Sequence, residues 1–250
     1  MNAPRPRIAA GRSDQFPRSV LTGRFTAILL ATLLATSLAL TLGACTSTTP
    51  TPGGPLPLIP DNPPAGIDPS AGGTCVLTGD TFDDDVTVPA NMTCDFTNVT
   101  IDGNLVVSGG AIVTSEGGMV GGNVLVYPNA TYDATGTAVG GNVQAARAAK
   151  VQLVTTAVDG NVQSEESTTV SVLAGTVGGD IQPDDGGSVD IDGVFVDGNV
   201  QVYDNTGGVT IQNNEIGGNL QCQGNVPAPT GGNNLVHGSA EDQCAGLKLP

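Results

Sequence analysis

The chain has little of what most binding and catalytic proteins depend on. It has no tryptophan, and aromatic residues make up only 3% of its 250 positions, so a globular core built on large aromatic anchors is excluded. Basic residues are also scarce: 8 lysines and arginines stand against 24 aspartates and glutamates, for a net charge of −16. Because phosphate backbones repel such a polyanion, nucleic-acid binding is excluded. We expect no cofactor.

The few basic residues are concentrated at the N-terminus, where five of the eight precede residue 25. A long apolar run over residues 25–44 follows and ends in Leu42-Gly43-Ala44-Cys45, the order of segments found in a secretory signal. This ending resembles the lipobox of bacterial lipoproteins. The resemblance implies that residues 1–45 are a lipoprotein signal peptide and that Cys45 becomes the lipidated N-terminus. Two alternatives are an uncleaved transmembrane anchor and soluble secretion after ordinary cleavage.

All three interpretations of the leader place the rest of the chain outside the cytoplasm. For a lipoprotein, this means the outer side of the cytoplasmic membrane or the outer membrane. Residues 46–72 are rich in Thr, Pro and Gly and have no periodic apolar pattern. Such a segment is predicted to be a disordered, semi-rigid linker. It would hold a folded domain, residues 73–250, away from the membrane.

The folded domain is predicted to be one repeat written nine times. A Gly-Asn pair recurs at six consecutive intervals of 19 residues and then at two of 20. A large apolar residue stands three positions before the Asn, and another follows it directly in nearly every repeat. Side chains at positions −3, −1, +1 and +3 would share one face of an extended segment. Glycine and β-branched residues disfavour helix.

A unit of two or three short strands cannot bury its apolar face alone, whereas stacked units bury a continuous column. The sequence therefore predicts an all-β fold, a single-stranded β-solenoid (parallel β-helix) of about nine coils of 19–20 residues. We expect its coil to be right-handed.

The Asn/Asp column itself is interpreted as structural. Stacked amides can hydrogen-bond from coil to coil at a corner, and the neighbouring glycine avoids a clash there. A metal-binding column is the weaker alternative, because the acidic runs match no complete calcium loop; we expect no metal. The predicted ladder comprises Asp85, Asn104, Asn123, Asn142, Asn161, Asp180, Asn199 and Asn219.

Four cysteines remain once Cys45 is assigned to lipidation. Cys75 and Cys94 share one phase of the repeat, so they should stack on neighbouring coils at about 4.8 Å, a separation that a disulfide accepts. Cys222 and Cys244 belong to the last two coils and make a second bridge. Each bridge would fasten one end of the solenoid. Zinc is the rival interpretation, but the chain has one histidine, His237, and no CxxC pair.

Two resemblances follow from these motifs. The segment GGNLQC, continued by PAPTGG and closed by EDQC, resembles a C-terminal module of secreted bacterial β-helix repeat lipoproteins, and it implies export and a fastened end. The 19-residue pattern is also similar in architecture to the bactofilins, which are polymer-forming scaffolds. Bactofilins usually lack a lipobox and paired cysteines.

Three functions are compatible with this sequence. The first is a non-enzymatic, envelope-anchored lipoprotein whose rigid acidic β-helix serves as a structural or adhesion-type interaction surface. It would be a monomer with an envelope or surface partner. The second is a bactofilin-like polymer-forming scaffold; prolines and a disulfide at one end and Asp83-Asp84-Asp85 at the other argue against it. The third is a polysaccharide-active β-helix enzyme. Coils of minimal length leave little room for a cleft, and only Arg147, Lys150 and Lys248 supply positive charge after Cys45.

Overall fold

The computed structural model describes residues 73–250. The predicted signal peptide, Cys45 and the linker over residues 46–72 lie outside the described residues. Between residues 73 and 250 the chain forms 27 β-strands and no helix. No membrane-spanning helix is found in this part of the chain.

The 27 strands form a β-solenoid of nine coils, which confirms the predicted fold class. Each coil contributes one strand to each of three parallel, nine-stranded sheets, here called A, B and C in the order in which a coil enters them. Each strand pairs with the strand one repeat away, so that Val143 lies beside Val162 and Val162 beside Ile181. The handedness of the coil stays a prediction.

The strands of the three sheets differ in length. Sheet A comprises Thr74–Thr78, Thr93–Thr97, Ile112–Glu116, Thr131–Thr135, Lys150–Val154, Thr169–Leu173, Ser188–Asp192, Val209–Gln212 and Thr230–Gly232. Sheet B comprises the two-residue strands Thr81–Phe82, Thr100–Ile101, Met119–Val120, Ala138–Val139, Ala157–Val158, Thr176–Val177, Phe195–Val196, Glu215–Ile216 and Leu235–Val236. Sheet C comprises Val86–Val88, Leu105–Val107, Val124–Val126, Val143–Ala146, Val162–Glu165, Ile181–Asp184, Val200–Tyr203, Leu220–Gln223 and Ala240–Asp242.

A narrow aliphatic core fills the solenoid. Alternate residues of each strand point inward, as Val151 and Leu153 do in sheet A, and both are 1% exposed. Valine and isoleucine dominate because their branched side chains pack well on a pleated surface. The largest fully buried side chain is Tyr132, which occupies the inward column of sheet A between Val113 and Val151.

The repeat bends where an extended segment was expected. Position −3 (Val139) lies in sheet B, whereas positions +1 and +3 (Val143 and Ala145) lie in sheet C. The corner between the sheets falls on the Gly-Asn pair itself. All three side chains are nonetheless buried, because the chain turns around the core and keeps these positions pointing inward.

Every coil leaves sheet A through a residue with positive φ. Glycine and asparagine adopt this left-handed conformation most readily, and they occupy seven of the nine positions. The exceptions are Thr155, with φ 49°, and Ala174, with φ 53°. The complete column is Gly79, Asn98, Gly117, Gly136, Thr155, Ala174, Gly193, Asn213 and Asn233.

Candidate functional surfaces

The predicted Asn/Asp ladder runs the length of the described solenoid at the corner between sheets B and C. The side-chain Oδ1 of each member accepts a hydrogen bond from the backbone N–H of the member one coil later, at 2.6–2.9 Å. It begins at Asp85 and ends at the N–H of Ser239. Side-chain amides add further bonds, such as Asn142 Nδ2 to Asn123 Oδ1 at 3.0 Å. These residues thus satisfy backbone groups at a bend, where no strand partner can do so.

The glycine column beside the ladder is required by this close approach. A Cβ added at Gly160 would lie 2.5 Å from Asn142 Oδ1 and 2.8 Å from the carbonyl oxygen of Gly141. The backbone N–H of Gly160 meanwhile donates to that same carbonyl at 3.0 Å. Any larger residue would therefore separate adjacent coils at the corner.

A second ladder, which the sequence analysis missed, lies on the outer face of sheet C. Four glutamines each donate from Nε2 to the Oε1 of the next glutamine, at 2.7–3.2 Å, and the fifth donates to Glu241 Oε2 at 2.8 Å. Their spacing of 19–20 residues was available in the sequence as the second residue after each Asn. The ladder consists of Gln144, Gln163, Gln182, Gln201, Gln221 and Glu241.

Both expected disulfides are present, one in each terminal region. Cys75 and Cys94 are direct partners in the register of sheet A, with Cα atoms 4.5 Å apart. Cys222 and Cys244 have Cα atoms 5.3 Å apart, and both are fully buried. The shared repeat phase identified the first pair. The second joins a strand of sheet C to the tail that follows the last strand.

The C-terminal end of the solenoid is closed by this tail and by buried asparagines. Asn214 Oδ1 accepts from the Val194 N–H at 2.8 Å, and its Nδ2 donates to the Ile191 carbonyl at 2.9 Å. Asn234 repeats the arrangement one coil later, and its Nδ2 donates to the carbonyls of Ile211 and Leu247. Both asparagines are at most 2% exposed.

A second stack of buried asparagines lies at the turn that follows sheet C. Asn205 Oδ1 accepts from the Gly186 N–H at 3.1 Å, and Asn225 Oδ1 accepts from the Asn205 N–H at 3.0 Å. Gln243 ends the stack: its Oε1 accepts from the Asn225 N–H at 2.9 Å and its Nε2 donates to the Asn225 carbonyl at 2.9 Å. These asparagines were not predicted from the sequence, although each pair recurs at 20 residues, because they lie outside the Asn/Asp column that defines the repeat.

The N-terminal end is more open within residues 73–250. The three strands of the first coil each have one strand neighbour, in the second coil. Val76 is 72% exposed, while Leu77 and Phe82 pack only partly against the core. The acidic run Asp83-Asp84-Asp85 is exposed at the corner of this coil.

Three carboxylates meet on the flank of the C-terminal half. Ligand oxygens of Asp184, Asp185 and Asp204 lie within 4.8 Å of one another. Burial, followed by the charges of Asp185 and Asp204, raises the pKa of Asp184 above its ordinary value of 3.8. The charged carboxylates of this cluster therefore repel one another at neutral pH.

The outer face of sheet A carries a shallow cleft beside Asp190. Hydroxyl-bearing residues, including Ser171 and Thr210, lie next to Asp190 in register, and Pro227 borders the cleft. Burial, followed by the charge of Asp192, raises the pKa of Asp190.

The histidine and the three basic residues between residues 73 and 250 fall into two groups, Arg147 with Lys150 and His237 with Lys248. His237 Nε2 lies 3.2 Å from Glu215 Oε1, and both side chains are about half exposed. Lys150 Nζ pairs with Asp133 Oδ1 at 2.9 Å on sheet A, and Arg147 occupies a turn with φ 51°. Lys248 Nζ donates to the Gly238 carbonyl at 2.8 Å.

Comparison of the chain with protein-family models, with curated proteins and with solved structures found no match. The ladders and columns of the described solenoid fit a β-helix structural scaffold.

Proposed function

We propose that this protein is a non-enzymatic lipoprotein of the bacterial envelope. Cys45 carries the lipid, the segment after it acts as a spacer, and the solenoid is a rigid acidic interaction surface. The observation that supports this most is the use of polar side chains within the described solenoid: both ladders and the buried asparagines are committed to coil-to-coil hydrogen bonds. Stiffness, rather than a reaction, is what such an arrangement supplies.

The two disulfides support export, because such bonds persist in oxidising compartments. The surface has the charge expected of a soluble β-rich rod. Exposed carboxylates discourage strand pairing between molecules and favour partners that are cationic or bridged by cations.

A polymer-forming scaffold is the alternative, and it is favoured by the first coil, whose strands each have one strand neighbour among residues 73–250. End-to-end growth also needs an accessible last coil. There, Leu247 packs into the core and Lys248 pairs with Asn234 as an isolated bridge. The tail therefore blocks the surface that a second molecule would need.

Lipid attachment is tested by expressing the full chain and its Cys45→Ser variant in a bacterium fed radiolabelled palmitate. We expect label and membrane association in the parent and loss of both in the variant. A Cys75→Ser variant controls for general effects of removing a cysteine, and should keep the label. An unlabelled parent would reject the lipoprotein hypothesis.

The oligomeric state is tested by sedimentation of the full chain, with and without reductant. A species of monomer mass under non-reducing conditions supports the tethered rod. Large assemblies that grow with protein concentration in the oxidised protein would instead support the scaffold.

A further inference from the structure

The cleft on the outer face of sheet A lies where a column of outward side chains is interrupted. In successive coils the column consists of Thr131, Lys150, Thr169 and Ser188, each the first residue of its strand. Gly208 has this place in the next coil, directly before the strand that begins at Val209. A Cβ added at Gly208 would have no neighbour within 4 Å among the described residues. The missing side chain therefore leaves open space, and the cleft, with a volume of about 410 Å³, includes it.

One wall of the cleft belongs to a turn that is longer than the turns before it. Among the turns from sheet C to sheet A, the segment 204–208 has five residues and 224–229 has six, whereas each of the three preceding turns has three. Pro227 and Ala228 of the longest turn line the cleft, and both are exposed. An alkyl chain that entered the cleft could pack against this apolar wall.

Asp190 lines the cleft with a carboxylate that no residue of the described solenoid neutralises. Its Oδ1 is buried without a hydrogen-bond partner, and neither ion pair found between residues 73 and 250 includes it. Burial, followed by the charge of Asp192, raises the pKa of Asp190, so the charged form is poorly compensated. A cation held in the cleft would offset both causes.

Two hydroxyl groups of the cleft are available as hydrogen-bond acceptors. Ser188 Oγ donates to Thr169 Oγ1 at 3.3 Å, and Thr230 Oγ1 donates to the carbonyl oxygen of Val209 at 3.2 Å. Because each hydroxyl has one proton, both oxygens keep lone pairs for another donor. With the Asp190 carboxylate, they favour an occupant that donates hydrogen bonds and carries positive charge.

The same sheet contains an occupied counterpart of this site. Asp133 and Asp190 lie in one outward column of sheet A, three coils apart. Lys150 comes two residues before the register partner of Asp133, and its Nζ lies 2.9 Å from Asp133 Oδ1. Gly208 comes two residues before the register partner of Asp190. By the symmetry of the repeat, the side chain that is missing at the cleft is the one that supplies an ammonium group to Asp133.

We infer that the cleft binds a lysine side chain of a partner protein. Its ammonium group pairs with Asp190, and its four-carbon stem packs along Pro227 and Ala228. Lys150 shows that a stem of this length reaches the carboxylate from the position that Gly208 occupies. An amine with a shorter stem, such as a lipid headgroup, would leave the apolar wall uncovered. The inference rests on the proposed function as an interaction surface and adds the chemistry of the partner.

The test is an NMR titration of the isotope-labelled full chain with Nα-acetyl-lysine-N-methylamide at low ionic strength. Saturable shift changes should appear at the backbone amides of Ser188, Asp190 and Thr210. Asp190→Asn should weaken binding about tenfold, as expected for the loss of one hydrogen bond between charged groups. The matched control is Asp133→Asn, in the same column, which should bind like the parent because Lys150 already pairs with Asp133. Circular dichroism should show the same fold in both variants.

Two further probes separate the ammonium group from the stem. The norleucine derivative has the stem without the charge and should cause no shift changes, and ethanolamine has the charge on a short stem and should bind several-fold more weakly. Equal binding by the parent and Asp190→Asn, or shifts spread over the whole acidic surface, would overturn the inference. Equal binding of ethanolamine would assign the cleft to small amines and would also overturn it. The palmitate experiment on Cys45 is independent of these outcomes, so a failure here is distinguishable from a failure of the lipoprotein hypothesis.

Discussion

The two ends of the solenoid are built from the same repeat, yet they terminate in different ways. In the first coil the inward positions remain apolar, and Phe82 packs on the core with no described residues above it. In the last two coils the turn positions are asparagines that are 0–2% exposed and fully hydrogen-bonded, and a folded tail covers them. The comparison indicates one way to end a repeat protein. Buried asparagines replace apolar residues at the turns of the last coils, and the tail completes their hydrogen bonds.

The difference also has an energetic consequence. When a neighbouring coil is missing, an apolar edge loses packing contacts but leaves no buried polar group without a hydrogen bond. A buried asparagine that loses its partner does leave backbone groups unsatisfied, which costs more free energy. The C-terminal end should therefore be the more rigid of the two but also the more sensitive to substitution. The N-terminal end should tolerate change and fray more readily.

Removing the disulfides should have the largest effect and should separate the two ends. By loop-entropy estimates, replacing Cys75 and Cys94 with serine, which opens a loop of 19 residues, should lower the free energy of unfolding by about 3 kcal/mol. Replacing Cys222 and Cys244 should cost about 4–5 kcal/mol, because the tail that accepts from Asn234 is released as well. Guanidinium unfolding of both double variants measures this difference.

Hydrogen exchange locates the effect of each disulfide. Loss of Cys222–Cys244 should accelerate exchange in the last two coils and leave the first two unaffected, and loss of Cys75–Cys94 should do the reverse. Equal effects on both ends in both variants would contradict the proposed asymmetry.

The buried asparagines should show the next largest effect. Asn214→Ala removes the acceptor of the Val194 N–H and the donor to the Ile191 carbonyl, so we expect a loss of about 3 kcal/mol in the free energy of unfolding. The control is Thr156→Ala, at the same repeat position three coils earlier, where only weaker hydroxyl contacts of 3.2–3.4 Å are lost. We expect about 1 kcal/mol there. Chemical denaturation of the two variants measures both losses of unfolding free energy. Equal losses would mean that the C-terminal end depends on its turn residues no more than the middle of the solenoid does.

The sequence predicted what the repeat period dictates and missed what depends on the shape of a single coil. The period specified nine coils, stacked parallel strands, the Asn/Asp ladder and the phase of Cys75 and Cys94. It did not place the corner between sheets B and C, because alternation alone cannot distinguish a bent segment that keeps pointing inward from a straight one. It also missed Asn214 and Asn234: an asparagine at a turn is an ordinary surface residue until the tail that buries it is known.

A substitution at a residue with positive φ in the middle of the solenoid should have a smaller effect, and it should stabilise the protein instead of destabilising it. Thr155 is a β-branched residue at positive φ, in a column where every other coil except that of Ala174 has glycine or asparagine. Thr155→Asn should raise the free energy of unfolding by about 1 kcal/mol, since asparagine tolerates this conformation better. Thr176→Asn, which replaces an exposed threonine in the sheet B strand of the following coil, should give no such gain. Thermal unfolding compares the two, and stabilisation by both would point to a surface effect instead of relief at Thr155.

The carboxylate cluster on the C-terminal half should produce the smallest effect, visible as a dependence on pH. The raised pKa of Asp184 means that the folded state binds its proton more tightly than the unfolded state, so this group favours folding increasingly as the pH falls toward its ordinary value of 3.8. Above the folded pKa the same group opposes folding, because its charge is partly buried beside Asp185 and Asp204. Asp184→Asn should therefore be more stable than the parent at neutral pH, and the advantage should shrink as the solution is acidified. Asp102→Asn removes an exposed carboxylate near the N-terminal end and serves as the control. Denaturation curves collected from pH 7 down to pH 4 distinguish the two variants. An advantage of Asp184→Asn that is independent of pH would show that the amide acts through a hydrogen bond. It would also show that electrostatic repulsion within the cluster does not destabilise this end of the solenoid.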